Sequence, residues 1–97
     1  MFSEYCVGET FTPQCETEHV ILMYSAVYGR MKIGRCLPVD HGVLGCQSNV
    51  LPHFDQECSG KEACEALVFA SFINAQSGCM KGLESYLEVE YECVKGM

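Results

Sequence analysis

The sequence has no apolar run that approaches the length of about twenty residues needed to cross a bilayer as a helix. It also shows no export signal, because the segment from Met1 to Cys6 lacks both a basic start and an apolar core. We therefore expect a chain that is not inserted in a membrane, and a mature or excised domain whose export signal lies outside this sequence. No repeat, low-complexity tract or linker divides the 97 residues, which predicts a single domain over 1–97.

Basic residues are scarce, since six lysines and arginines stand against thirteen aspartates and glutamates, for a net charge of −7. This balance argues against nucleic acid or an anionic membrane as a partner, because both attract positive charge. Arg30, Lys32 and Arg35 are three of the six cations and lie within six residues. A solvated loop is the favoured interpretation of this cluster, and a ligand site is the alternative.

Zinc-type cysteine spacing is absent, because no C-x2-C pair occurs. Eight cysteines, even in number and scattered along a short chain, instead predict four disulfides. A domain of this size builds a limited core and gains stability from such covalent links. Disulfides need an oxidising compartment, so we expect a secreted protein or one on the extracellular face of the plasma membrane.

Catalytic signatures are missing as well. His19, His41 and His53 lie in separate segments, with no serine or free cysteine partner at a recognisable spacing. The glutamates of residues 88–92 could hold calcium, but carboxylates two apart on a strand diverge, which favours a solvated face. We expect no enzyme activity, no catalytic residue, no metal and no cofactor.

The clearest predicted element is the closing stretch, residues 85–94. Apolar and acidic residues alternate along it, and this period of two is typical of a half-buried strand. The predicted inward face holds Leu87, Val89, Tyr91 and Cys93, and the predicted outward face holds Glu88, Glu90 and Glu92.

Two further strands are predicted in the first third of the chain. Residues 19–28 are rich in β-formers and predict a central strand that is buried on both sides in its middle and ends at Gly29. Residues 4–7 predict a short first strand, whereas Pro13 makes residues 10–15 an edge or an irregular segment.

A helix is predicted after Ser48 or Asn49, either of which could cap it. Turn residues make 34–45 a loop, residues 66–73 are a second buried element, either a strand or a short helix, and 74–82 form an irregular connection. The helix would have Pro52 in its first turn and an apolar face of Val50, Leu51, Phe54 and Cys58.

Three segments carry a resemblance to a known family: Tyr28-Gly29-Arg30 after the long strand, Cys58 to Cys64, and Tyr86 to Cys93. In register with the cysteines over a core of about 4–94, they resemble the SUEL-type galactose/rhamnose-binding lectin domain, which is also found in latrophilin-like adhesion receptors. The resemblance implies a small, disulfide-rich α+β domain, with antiparallel β-sheet structure and one or two short helices. It also implies the disulfides Cys6–Cys36, Cys15–Cys93, Cys46–Cys79 and Cys58–Cys64.

The resemblance points to a sugar site, and there the sequence departs from the family. Where the family pattern implies Glu, Asn, Asp-Pro and Lys, this chain has Val7, Val27, Ser77-Gly78 and Ser85. Valine cannot make the charge-assisted hydrogen bonds that hold vicinal sugar hydroxyls. We therefore expect the usual rhamnose or galactose site to be largely lost.

Two functions are compatible with these residues. The favoured one is an extracellular recognition module that binds a protein partner, because valine makes the surface drier, as interfaces are. The alternative is a carbohydrate-binding lectin with a remodelled pocket of altered sugar specificity. The expected partner is thus an extracellular protein or glycan, and the oligomeric state stays open. Loop 30–35 and segment 81–85 are expected to flank one pocket. The residues expected to bind the partner there are Tyr28, Arg30, Lys81, Gly82, Glu84 and Ser85.

Overall fold

The computed structural model of the chain describes residues 1–39, 44–68 and 85–96. Strand β6 lies between β1 and β3 in a four-stranded antiparallel sheet of order β1-β6-β3-β4, and β2 pairs with β5 in a separate two-stranded sheet. The predicted small, disulfide-rich α+β fold is therefore confirmed. In chain order the elements are β1 (Phe2–Cys6), β2 (Thr10–Phe11), β3 (His19–Arg30), β4 (Cys46–Asn49), α1 (Leu51–Cys58), β5 (Ala66–Leu67) and β6 (Tyr86–Lys95).

Strand β6 has the alternation that its sequence predicts, because Leu87, Val89 and Tyr91 are buried while Glu90 and Glu92 are exposed. Cys93 is the exception, since it is exposed although it was expected on the buried face. It lies near the end of β6 and bonds to Cys15, in the segment that leads from β2 to β3.

Strand β3 differs from its prediction in two ways. It continues through Gly29 to Arg30, and its middle is buried on one side only, because Leu22 and Tyr24 are 39% and 49% exposed. The helix α1 packs against β3, and α1 side chains join Ile21, Met23 and Ala26 of β3 in the core. Within the described residues, no element covers the opposite side around Leu22.

Strand β3 continues through Gly29, because the missing side chain lets β4 approach closely. A Cβ at this position would overlap the Cys46 carbonyl oxygen and would lie 2.6 Å from Gln47 Cα. Gly29 pairs with Gln47 in the β3–β4 register, so the missing side chain allows the strand pairing to continue.

Strands β1 and β2 lie close to their predicted places. β1 starts and ends earlier than residues 4–7, and the chain turns at Gly8, whose φ of +93° favours glycine. Phe11 in β2 is fully buried, and its ring meets those of Tyr5, Phe54 and Tyr91 at centroid distances of 5.3, 5.9 and 5.6 Å. After β2 the segment is irregular, with an isolated bridge from Gln14 to Ala63.

The helix α1 begins at Leu51 and has Val50 as its N-cap residue, so its cap lies one residue after Asn49 and two after Ser48. Ser48 and Asn49 belong to β4, where they pair with Tyr28 and Val27. The Asn49 side chain still contributes, because its Oδ1 accepts a hydrogen bond from the Leu51 N–H at 3.0 Å. Of the predicted element 66–73, residues 66–67 are a strand and those beyond 68 lie outside the described residues, as do 74–82.

Three disulfides join the described elements. The structure has the bonds Cys6–Cys36, Cys15–Cys93 and Cys58–Cys64, which are three of the pairs that the resemblance implies. Cys46 is also disulfide-bonded, but Cys79 lies outside the described residues, so that pair stays a prediction.

Candidate functional site

The described residues of the predicted pocket are all buried. Tyr28, Arg30 and Ser85 expose only 0%, 1% and 3% of their surface. Tyr28 pairs with Leu87 across the sheet, and Arg30 and Ser85 lie at the same end of the β3–β6 pair. The structure thus places these three residues in one region. The other three predicted residues, Lys81, Gly82 and Glu84, lie outside the described residues.

Arg30 was expected in a solvated loop, and that interpretation is wrong. It is the last residue of β3, and its Nη2 donates a hydrogen bond to the Val39 carbonyl oxygen at 3.4 Å. Its own carbonyl oxygen accepts a hydrogen bond from the Gly45 N–H at 2.6 Å. Because the burial of a guanidinium depends on such contacts, Arg30 has a structural part in this end of the sheet.

Lys32 and Arg35 are exposed, as predicted, but both pair with acidic groups of the N-terminal segment. Lys32 Nζ lies 3.5 Å from a Glu4 carboxylate oxygen. Arg35 donates from Nη1 and Nη2 to Glu9 at 2.8 and 3.0 Å, and from Nη2 to the Glu4 carbonyl oxygen at 2.7 Å. With the Cys6–Cys36 disulfide, these contacts attach the loop to β1.

The Arg35–Glu9 pair changes the acidity of both groups. Hydrogen bonds from Arg35 and from the Cys6 N–H lower the pKa of the Glu9 carboxyl group, and the hydrogen bond to Glu9 raises the pKa of Arg35. The sequence does not indicate the Arg35–Glu9 ion pair, because its partners lie 26 residues apart in the chain. The loop therefore presents less free positive charge than its composition indicated.

The positions where valine replaces a polar residue of the family pattern are accessible to solvent. Val7 is 46% exposed next to the turn at Gly8, and Val27 is partly buried on β3. Ser85 Oγ is buried and has no hydrogen-bond partner among the described residues. Burial also raises the pKa of the Tyr28 hydroxyl group above its ordinary value. The two valines thus offer accessible apolar surface, whereas the hydroxyl groups of Tyr28 and Ser85 are both buried.

A second surface is the side of the sheet that α1 does not cover. We call it the outer sheet face and define it by three exposed apolar side chains on β1 and β3 and three glutamates on β6. The register places these residues together, because Phe2 pairs with Glu90 and Leu22 with Glu92. Its members are Phe2, Leu22, Tyr24, Glu88, Glu90 and Glu92.

Two tyrosine hydroxyl groups contact glutamates of β6, and their pKa values are raised. Tyr86 donates a hydrogen bond to Glu88 Oε2 at 2.8 Å, and its burial together with this hydrogen bond raises its pKa strongly. Partial loss of hydration raises the pKa of the Tyr24 hydroxyl group, and the charge of Glu92 and a hydrogen bond with it add to the effect. Tyr24 therefore lies beside Glu92 on the outer sheet face.

Within the parts of the chain that the structure describes, neither surface has the geometry of a metal site. Same-face residues on one strand lie about 7 Å apart, so the glutamates of β6 do not converge on one ion. Among the described residues, Cys6, Glu9 and Cys36 lie close together, but both sulfurs are bonded to each other. A separate open groove of about 400 Å³ contains none of the predicted site residues and is lined by Glu18, His19, Val20, Glu62, Lys95 and Gly96.

Comparison with known proteins relates this fold to a family of binding domains. Latrophilin Cirl of Drosophila mojavensis is 32% identical over 94 residues, which are 92% of this chain and 5% of the relative. Protein eva-1 homolog C of Mus musculus is 28% identical over 100 residues, which are 92% of this chain and 21% of the relative. The chain therefore spans a small part of these relatives.

The family comparison covers most of the described sheet. The profile of the D-galactoside/L-rhamnose binding SUEL lectin domain matches residues 13–93. This range begins after β1 and β2, contains all of β3, β4, α1 and β5, and includes most of β6. The chain therefore belongs to the D-galactoside/L-rhamnose binding SUEL lectin domain family.

Proposed function

We propose that this chain is an extracellular protein-recognition module in which the rhamnose and galactose site of its family is largely lost. Its family is a binding domain and not an enzyme, so the question is which ligand it binds. Disulfides support an oxidising, extracellular setting. The latrophilin and eva-1 relatives are compatible with a domain that acts in cell adhesion.

One observation carries the proposal. Tyr28, Arg30 and Ser85 expose at most 3% of their surface, so in this conformation they offer almost no polar surface to a sugar. The accessible positions Val7 and Val27 have side chains without donors or acceptors. Each missing charged hydrogen bond removes about 1.5–3 kcal/mol, and a millimolar ligand has only about 4 kcal/mol in total.

A remodelled sugar pocket is the second candidate, and one observation favours it. The buried Ser85 Oγ has no hydrogen-bond partner among the described residues. A buried hydroxyl group without a hydrogen-bond partner lowers the stability of the folded domain, and a ligand hydroxyl group could supply the missing hydrogen bond. This candidate requires an opening of the region around Ser85 when a sugar binds.

Titration of the ¹⁵N-labelled domain with L-rhamnose and D-galactose distinguishes the two functions. We expect no saturable chemical-shift change at Tyr28 or Ser85 up to millimolar sugar. The variant Val7→Glu restores one acceptor and is expected to stay inactive, because several polar groups are missing together. Saturable shifts at Tyr28 and Ser85 in the unmodified domain would show that the pocket still binds sugar and would refute the proposed function.

A further inference from the structure

The outer sheet face exposes three large apolar side chains on the strands next to β6. Phe2, Leu22 and Tyr24 are 54%, 39% and 49% exposed. Phe2 lies on β1, and Leu22 and Tyr24 lie on β3, the two strands that flank β6. Two strand spacings and a shift of two residues along β6 separate Phe2 from Leu22 by about 12 Å. Neighbouring exposed apolar side chains that are bordered by polar residues are typical of interaction surfaces.

The charged side chains of the outer sheet face are mostly negative. Glu88, Glu90 and Glu92 lie along β6, and Glu4 pairs directly with Glu88 from β1. Within the described parts of the chain, the ion pair on this face is the one between Glu4 and Lys32. Glu90 and Glu92 are exposed, and the chain as a whole carries a charge of −7. A partner that matches this face must therefore bring positive charge.

Lys32 shows how a cation fits here. Its ammonium group lies 3.5 Å from a Glu4 carboxylate oxygen and 5.9 Å from the centroid of the Phe2 ring. It therefore combines an ion pair with a position over an aromatic ring, which attracts cations through its negative face. An aromatic ring also lies beside a carboxylate on the other side of β6, where Tyr24 of β3 is next to Glu92.

We propose that the outer sheet face binds a basic segment of a partner protein, whose arginine or lysine side chains pair with Glu90 and Glu92 and lie on Phe2 and Tyr24. This inference rests on the proposed protein-recognition function and identifies the chemistry of the partner. Apolar side chains of the same segment cover Leu22. Because the carboxylates are exposed, binding weakens as salt concentration rises.

The probe is a synthetic peptide of alternating arginine and valine, titrated into the ¹⁵N-labelled domain at low and at physiological salt. We expect saturable shifts at Leu22, Tyr24, Glu90 and Glu92, and weaker binding at the higher salt. A peptide of alternating glutamate and valine has the same length and opposite charge, and we expect it not to bind. If the basic peptide causes no saturable shift on the outer sheet face, the inference is wrong.

Two charge-reversed variants separate a specific site from general attraction to an acidic protein. Glu90→Lys with Glu92→Lys changes the proposed site, and Glu57→Lys with Glu65→Lys makes the same change in net charge at exposed positions elsewhere. We expect the first pair to weaken peptide binding about tenfold and the second to weaken it about twofold or less. Equal weakening by both pairs would refute the outer sheet face as the site. Melting temperatures of both variants establish that they are folded.

The sugar titration fails or succeeds independently of these measurements. Saturable rhamnose shifts at Tyr28 and Ser85 would refute the proposed function, while peptide shifts at Tyr24 and Glu92 would still support a basic partner for the outer sheet face. Loss of the peptide effect without any sugar binding would refute only the inference about this face.

Discussion

The close approach of β4 to Gly29 makes a single methyl group a severe perturbation. In Gly29→Ala the new Cβ would overlap the Cys46 carbonyl oxygen and would lie 2.6 Å from Gln47 Cα and 3.0 Å from the Cys46 carbonyl carbon. All three atoms belong to the backbone, so no side chain can turn away to make room. Strand β4 would have to move by about 1 Å to restore ordinary contact distances.

The magnitude follows from the strand pairing that this movement disrupts. Strand β4 pairs with β3 from Val27 to Arg30, and Gly29 lies inside this register. Loss or distortion of two to three backbone hydrogen bonds, at about 1 kcal/mol each, would lower the free energy of unfolding by about 2–3 kcal/mol. For a domain of this length, that change lowers the melting temperature by about 10–20 °C.

Gly34→Ala is the matched control, because among the described residues beyond its two chain neighbours no atom lies within 4 Å of its Cβ position, and its φ is not in the left-handed region. It should leave stability unchanged or raise it by up to about 1 kcal/mol, since alanine restricts the unfolded chain. Urea unfolding under non-reducing conditions and thermal melting measure both variants. A Gly29→Ala variant within about 0.5 kcal/mol of the unmodified protein would show that β4 does not lie against Gly29 as described.

Two further predictions concern the basic residues. Arg30→Ala should lower the free energy of unfolding by about 2–4 kcal/mol, because it removes a buried, packed side chain that bonds to Val39. Lys32→Ala, at an exposed ion pair, should change the free energy of unfolding by about 0.5 kcal/mol or less. Urea unfolding measures both variants, and equal effects would contradict the burial of Arg30. The lowered pKa of Glu9 means that its contribution to stability is present above pH 4.5, the ordinary value, and is lost as the pH falls through the lower folded value. Melting temperatures from pH 6 to pH 2 should show a smaller decrease for Glu9→Gln than for the unmodified protein, and identical pH profiles would show that the contact with Arg35 adds no stability.

The fold leaves the outer sheet face accessible but not the end of the sheet near Tyr28 and Arg30. The end of the sheet near Tyr28 and Arg30 is closed in this conformation, because both residues are almost completely buried. The outer sheet face is open around Leu22 and Tyr24, and its carboxylates lie within the same register. Protein recognition through the outer sheet face would leave Tyr28 and Arg30 free to serve as part of the buried core.

Much of the fold could be predicted because it depends on local pattern. The alternation in residues 85–94 predicted a strand with Leu87, Val89 and Tyr91 inside, and the structure confirms it, since successive side chains of a strand point to opposite faces. The helix and its buried Phe54 and Cys58 were also predictable, because their spacing matches one helical face.

Tertiary contacts decided where the helix begins and which side of β3 is covered. Ser48 and Asn49 have good capping side chains, but they pair with Tyr28 and Val27, which lie about twenty residues earlier in the chain. A long apolar run such as that of β3 cannot show whether a second layer covers both of its sides. Here α1 covers one side, and Leu22 remains exposed on the other.

The sequence by itself determined the class of this protein, because eight cysteines and the alternation in β6 require neither a partner strand nor a neighbour to be recognised. Only the tertiary structure decided the fate of the clustered cations. Arg30 is buried because it ends a strand inside the sheet, whereas Lys32 and Arg35 meet acidic groups of β1 and of the turn that follows it. These contacts join residues that are distant in sequence, and the charge of a segment alone cannot show which of its members will find a partner.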